Sequence, residues 1–250
     1  MPQTSPILII SSSDRTSSSV SSTDFTVQIP SPLYGVNTIE LLSASIPLSY
    51  YNVDETNHTV YYTPIPQIGT ESITLDHGNY TVQTLVEAVA TKLSVDSEVV
   101  YTASYNPTTM KITISSVGNF KLLFSNTSTS AASLLGYDNV DTASATSHEA
   151  SYAPKLHPLE HIYIEILELS NHILTTNPLI NRCSFMIPVT QNGGEIEYYV
   201  PTNETGLQGV MLNSATIPSF RIQLRDHLGR ILDLHGSNWS MILNILPKIY

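Results

Sequence analysis

Cysteine, tryptophan and charge are scarce in this chain. Of 250 residues one is Cys, one is Trp, and 12% are charged, about half the usual charged share of a soluble domain. Cys183 alone cannot close an internal disulfide or supply a Cys-pair zinc site, so the fold is not built for an oxidising compartment. Ten basic residues against 21 acidic ones give a formal net charge of -11, the wrong field for a phosphate-backbone binder. No run approaches the ~18 apolar residues of a membrane span. Ile7-Leu8-Ile9-Ile10 lacks a basic flank and is too short for a signal peptide. Walker-type phosphate loops, the dinucleotide glycine fingerprint and a Gly-x-Ser-x-Gly nucleophile elbow are also missing from the sequence.

Ser and Thr are abundant, at 59 positions, and Tyr (14) outnumbers Phe (5). The 41% hydrophobic content is ordinary for a globular chain and argues against disorder. The length fits one large β domain or two smaller ones with a sizeable core. The Asn-x-Ser/Thr sequons number five. In a chain this rich in Ser and Thr they are expected by chance and carry no weight as glycosylation sites.

Residues 11–23, SSSDRTSSSVSST, are too polar to fold alone. Residues 1–23 therefore read as a flexible N-terminal arm, whose removal (residues 1–22) is expected to leave the fold intact and weaken assembly. From Asp24 the pattern changes. Phe25, Val27 and Ile29 alternate with polar residues, the period of a half-buried strand, which Pro30 and Pro32 are expected to end. A second strand is expected over residues 36–46, closed by Pro47.

Residues 53–154 differ in character. Val82, Leu85, Val86, Val89 and Leu93 fall on one helical face. Thr81 is a candidate N-cap, and Thr84-x-x-Glu87 offers a capping box one turn further in. A hairpin is expected around Asn106-Pro107-Thr108-Thr109, a separate strand at Lys121–Phe124, and a helical turn at Ala131–Leu135 ended by Gly136. Asp138–Ala153 reads as a polar loop. Alternation returns at Ile162–Ile166, Phe185–Val189, Ile196–Val200, Phe220–Leu224 and Trp239–Ile245. Short strands separated by Gly, Pro and Asn turns indicate a β-sandwich or barrel.

Candidates for chemistry are few. His157 and His161 stand four apart around Glu160, but Pro154 and Pro158 deny them a helix, and His227 and His235 only bracket a turn. Glu165/Glu168 and Glu195/Glu197 are paired carboxylates of the kind a glycosidase uses. Glu195 and Glu197 are expected on the solvated face of their strand, with Ile196 and Tyr198 turned inward. Cys183, ahead of Phe185, Ile187 and Val189, reads as a buried small hydrophobe. Arg221, Arg225 and Arg230 gather three of the ten basic residues in one hairpin, as an anion or partner contact or as an ordinary polar sheet face. No residue is assigned a catalytic, cofactor-binding or metal-binding role, and the chain is not expected to be an enzyme.

The run STDFTVQIPSPLYGVNTIELLSASIPLSYYNV (Ser22 to Val53) resembles penton, or minor capsid, proteins of virophages. So do HGNYTVQTLVEAVATKL (His77 to Leu93), TASYNPTTMKITISS (Thr102 to Ser116), SLLGYD (Ser133 to Asp138) and FRIQLRDHLGRILDLHGSNWSMILNI (Phe220 to Ile245). The resemblance extends to related large double-stranded DNA viruses of eukaryotes whose major capsid protein is a double jelly roll.

It implies a mainly β chain: an antiparallel jelly-roll β-sandwich with an inserted α+β domain carrying one amphipathic helix. Residues 24–52 plus 155–250 would make the jelly roll, and residues 53–154 the outward-projecting insertion. It implies a structural capsid protein, a homopentamer that closes the vertex of an icosahedral virion assembled in the host cytoplasm. The partners it implies are further copies of the chain, the major capsid protein and, through the insertion, a host receptor. Nucleic acid, membrane and cofactor are not among them. The alternative is a lectin-like or receptor-binding β-sandwich.

Overall fold

Alternating apolar and polar residues build strands through most of the chain, and one amphipathic stretch builds a helix. The computed structural model describes residues 6–34, 36–66, 69–97, 99–125, 129–157, 159–169, 176–202, 209–211 and 216–247. In chain order the strands are β1 (Ile7–Ser11), β2 (Asp24–Tyr34), β3 (Val36–Pro47), β4 (Thr59–Pro64), β5 (Glu71–Thr74), β6 (Tyr101–Asn106) and β7 (Lys111–Leu122). They continue as β8 (Ala145–Glu149), β9 (His161–Ile166), β10 (Phe185–Pro188), β11 (Ile196–Tyr199), β12 (Gly209–Met211), β13 (Thr216–Arg225) and β14 (Ser240–Pro247). The helices are α1 (Val82–Ser97) and the short α2 (Ala132–Leu135). The chain divides into two compact units, residues 1–50 with 159–250, and residues 51–158.

The first unit is a jelly-roll sandwich of two antiparallel sheets. One runs β1-β14-β3-β11, with β12 also on β3, and the other runs β10-β9-β13-β2. Their inner faces share one core, with Phe25, Ile39, Leu41, Ile162, Phe185, Phe220 and Leu243 all buried. Strand β2 does not stop at its prolines. It runs on to Tyr34 because it is an edge strand, where a missing N–H costs no ladder bond. The register with β13 shifts between Ile217 and Ser219, a bulge beside the proline-rich stretch.

The arm reading is corrected over residues 6–23, and residues 1–5 lie outside the described residues. Ile7–Ser11 pairs with β14 in full register, from Ile7 opposite Asn244 to Ser11 opposite Ser240, and Ile10 is buried. The polar run that follows is fixed by its own hydroxyls. The Ser21 Oγ accepts from the N–H of Thr23 and of Asp24, Ser19 Oγ accepts from Thr26 N–H, and Thr23 donates to Leu232 O at 2.6 Å. Composition misleads here because these hydroxyls satisfy backbone groups instead of facing water.

In the second unit β5-β4-β7-β6 form a sheet with β8 also on β7. Helix α1 packs on β6 and buries Leu85, Val86, Val89 and Leu93 against Val60, Tyr62, Ile112 and Phe120. Its start is set by a reciprocal pair one turn earlier than Thr84/Glu87. Thr84 N–H donates to Thr81 Oγ1 at 3.2 Å, and Thr81 N–H to Thr84 Oγ1 at 3.0 Å. Two further expectations are corrected. Lys121 and Leu122 end the long β7 and are not a separate strand. The polar stretch after Asp138 contains β8, held by His148, whose buried Nε2 lies 3.0 Å from Phe120 O.

Gly136 ends α2 in the left-handed region, at φ 83°, its N–H bonding back to the carbonyls of Ala132 and Ser133. A Cβ there would lie 2.3 Å from Tyr152 O. Gly136→Ala combines a disfavoured φ with a clash against backbone. It is expected to destabilise by about 2–3 kcal/mol, read as a lower urea midpoint of this unit.

Candidate functional site

Carboxylates, arginines and the one cysteine converge on the outer face of the sheet formed by β10, β9, β13 and β2. Strand alternation puts Arg221, Gln223 and Arg225 on one face of β13. Beside them a cavity of about 280 Å³ is bounded by Tyr163, Glu165, Ile180, Arg182, Cys183 and Arg225.

The arginines do not form an anion site. Arg225 Nε donates to Glu165 at 2.7 Å, and its other nitrogens reach Gly229 O and Gln223 Oε1. Arg230 Nε donates to Asp226 at 2.7 Å, and Arg221 Nε to Asp24 at 3.3 Å. Each guanidinium therefore spends its charge on its own carboxylate. These pairs brace the polar face of the sheet.

The carboxylate pairs split as well. Glu165 is buried under Arg225. Glu168 accepts from Arg221 N–H at 3.0 Å; burial pushes its carboxyl above the usual range, opposed by that N–H and by the Arg221 guanidinium.

Glu195 is exposed as expected, and Glu197 reverses the expectation. Glu197 is 3% exposed, while Ile196 and Tyr198 are 58% and 67% exposed. The buried carboxylate holds the preceding loop, accepting from Thr190 N–H at 2.6 Å, Gln191 N–H at 3.0 Å and Thr190 Oγ1 at 3.0 Å. A glutamate satisfied by two backbone donors is stable inside, and this fixes the strand with its apolar residues outward. Sequence periodicity carries no sign of which face is inner, so the inversion escaped it. Glu197→Ala leaves those two N–H groups unpaired. A loss of about 2–3 kcal/mol is expected, with Glu197→Gln losing less because it keeps one acceptor; urea titration checks both.

Cys183 is buried, its thiol donating to Phe185 O at 2.7 Å, and burial pushes it up to about 12. Such a thiol is protonated and inert. His161 begins β9 opposite Pro188, and His157 is exposed in the other unit. His235 sits at φ 49° with its Nδ1 2.8 Å from Ser49 O, and His227 accepts at its carbonyl from Asn177. Among the described residues no three His, Cys, Asp or Glu converge as a metal site. Among them, too, no helix is long and apolar enough to cross a membrane.

The described surface offers a different candidate. Ile7 and Ile9 on β1, and Ile196 and Tyr198 on β11, are large apolar side chains exposed on the two edge strands of one sheet. Exposed apolar side chains on an open strand edge mark interaction surfaces rather than chemistry.

Comparison with known proteins bears on the fold. A chain of the Sputnik virophage structure matches at TM-score 0.52 and 14% identity, covering 98% of both chains. The selenomethionine-labelled mavirus penton protein matches at TM-score 0.48 and 12% identity, covering 98% of this chain and 92% of that one. Among curated proteins there is no match. The profile described as Family of unknown function (DUF5901) matches residues 2–215, and the chain belongs to that family.

Proposed function

We propose that this chain is a structural capsid protein that forms the pentameric vertex of an icosahedral virion. What carries the reading is the end-to-end likeness to a chain of the Sputnik virophage, which spans both units and 98% of each chain. The penton-like sequence runs support it from an independent direction. A jelly-roll sandwich without convergent catalytic groups among its described residues suits a shell component, and so does a surface poor in charge, since charged residues are depleted at the cores of interfaces. The site that matters is then a subunit contact. A five-fold ring closes through heterologous contacts, in which two different faces of the subunit meet.

Within this reading the second unit projects from the shell, and the major capsid protein surrounds the ring. Native mass spectrometry of the purified chain tests the proposal. A five-fold mass is the expected result, and co-expression with the major capsid protein should place it at particle vertices. A monomer or trimer that carries glycan and stays out of particles would overturn it in favour of the lectin-like alternative.

A further inference from the structure

Among the described residues the sheet β1-β14-β3-β11 has open edges of matched chemistry. On β1 the hydrogen-bonding phase is fixed at both ends. Ser12 N–H donates to Trp239 O, and Ile245 N–H to Pro6 O. The even-numbered residues of β1 therefore bond to β14, and antiparallel alternation turns the N–H and C=O of Ile7 and Ile9 to the open edge. On β11, Leu48 N–H donates to Glu195 O. Glu197 and Tyr199 therefore bond to β3, and Ile196 and Tyr198 face the open edge. The residues with free backbone on each edge are the same ones whose side chains are exposed, at 62% and 70% on β1 and 58% and 67% on β11.

Open edges are normally blunted by proline or charge. The other sheet of the sandwich has edge strands β2 and β10, which contain Pro30, Pro32 and Pro188. By contrast β1 reads Ile-Leu-Ile-Ile-Ser, and the one charged side chain of β11, Glu197, is turned inward. In a chain of net charge -11, two copies repel over most of their surface, and these edges offer uncharged ground between them.

We propose that β1 of one copy pairs with β11 of the next, continuing this sheet from subunit to subunit. The occupant of each edge is a second copy because the chain itself carries both halves. Strand directions agree: β1, β14, β3 and β11 alternate in direction. A neighbour placed side by side in the same orientation therefore brings its β1 antiparallel to β11. This head-to-tail contact is the heterologous kind that closes rings, formed by main-chain strand addition. The inference rests on the ring proposed above and names its seam.

The test uses full-length protein with Ile9→Pro and, separately, Tyr198→Pro. Each removes an N–H that bonds nothing within the described subunit, so the monomer should unfold at the wild-type midpoint while the ring population falls at least tenfold in native mass spectrometry. A second measurement does not depend on proline. A chain carrying Ile9→Cys together with Ile196→Cys or Tyr198→Cys should oxidise to a ladder ending at five subunits, and Ile9→Cys alone should give none; Cys183 is buried and stays silent. Wild-type pentamers that survive both prolines and give no ladder overturn the seam and leave the ring standing. A dimer cross-linked by Ile9→Cys alone means two-fold pairing of β1 with itself and overturns the seam. A wild-type chain that stays monomeric overturns seam and ring together.

Discussion

Deleting residues 1–12 is expected to lower the stability of the sandwich by about 3–8 kcal/mol. The sum has two parts. Ile10 is 4% exposed, and losing a buried isoleucine costs about 2–5 kcal/mol. Ser12 is fully buried between backbone and side chains of β14's approach. Its N–H donates to Trp239 O at 2.9 Å and its Oγ accepts from Trp239 N–H at 3.0 Å. Stranding the buried Trp239 groups adds about 1–3 kcal/mol. Loss of the β1 ladder itself adds little, because the exposed edge of β14 then bonds to water. The midpoint of thermal unfolding should fall by about 6 °C or more, since 1 kcal/mol moves a domain of this size by about 2–4 °C. The chain has one Trp, and it lies in the sandwich, so Trp fluorescence follows this unit alone. A second transition seen only by circular dichroism, belonging to residues 51–158, should not move. A truncated chain with an unshifted fluorescence midpoint would return residues 1–12 to the status of a loose arm.

How the sequence misleads is specific to particular residues. The strands were legible wherever alternation met an ordinary buried face: Phe25, Val27 and Ile29 on β2, Ile162 and Ile164 on β9, and Phe220, Ile222 and Leu224 on β13 are all buried. The helix was legible because Val82, Leu85, Val86, Val89 and Leu93 repeat over about three turns. Three features were not. Ile7–Ile10 is four apolar residues beside a polar run, and nothing local says that β14, more than 200 residues away in sequence, completes it. Strand β8 has little apolar mass, because its pairing depends on the long β7 offering a free flank and on one buried histidine. The inward Glu197 depends on two backbone donors from a neighbouring loop. In each case the deciding partner is remote or is main chain, and periodicity reports neither. The candidate surface followed the same rule. A polar-out reading of β11 turns Ile196 and Tyr198 inward, and the buried Glu197 is what puts them on the surface.

Trp239→Ala is the other large effect expected, a loss of about 3–5 kcal/mol. Trp239 is 3% exposed and stands edge-on to Phe25, with ring centroids 5.8 Å apart at 77°, a favoured aromatic geometry. Its indole N–H donates to Ser22 O at 2.8 Å. The ring therefore joins the two sheets through Phe25 on β2 and, through Ser22, secures the polar segment that composition alone marks as mobile. Alanine removes the ring, opens a cavity and leaves the Ser22 carbonyl without its donor. Trp239→Phe separates these contributions. It keeps most of the apolar volume and loses the indole N–H, so a cost of about 1–2 kcal/mol is expected. Both variants are read by circular dichroism, because each removes the fluorescent reporter. If Trp239→Phe costs as much as Trp239→Ala, the hydrogen bond to Ser22 dominates and the segment from Ser12 to Thr23 is the main load on this residue. If Trp239→Phe is neutral, packing against Phe25 carries the effect. The arm is then held from its two ends, by β1 and by Thr23 on Leu232 O, and the seam at Ile7 and Ile9 stays in place without the indole.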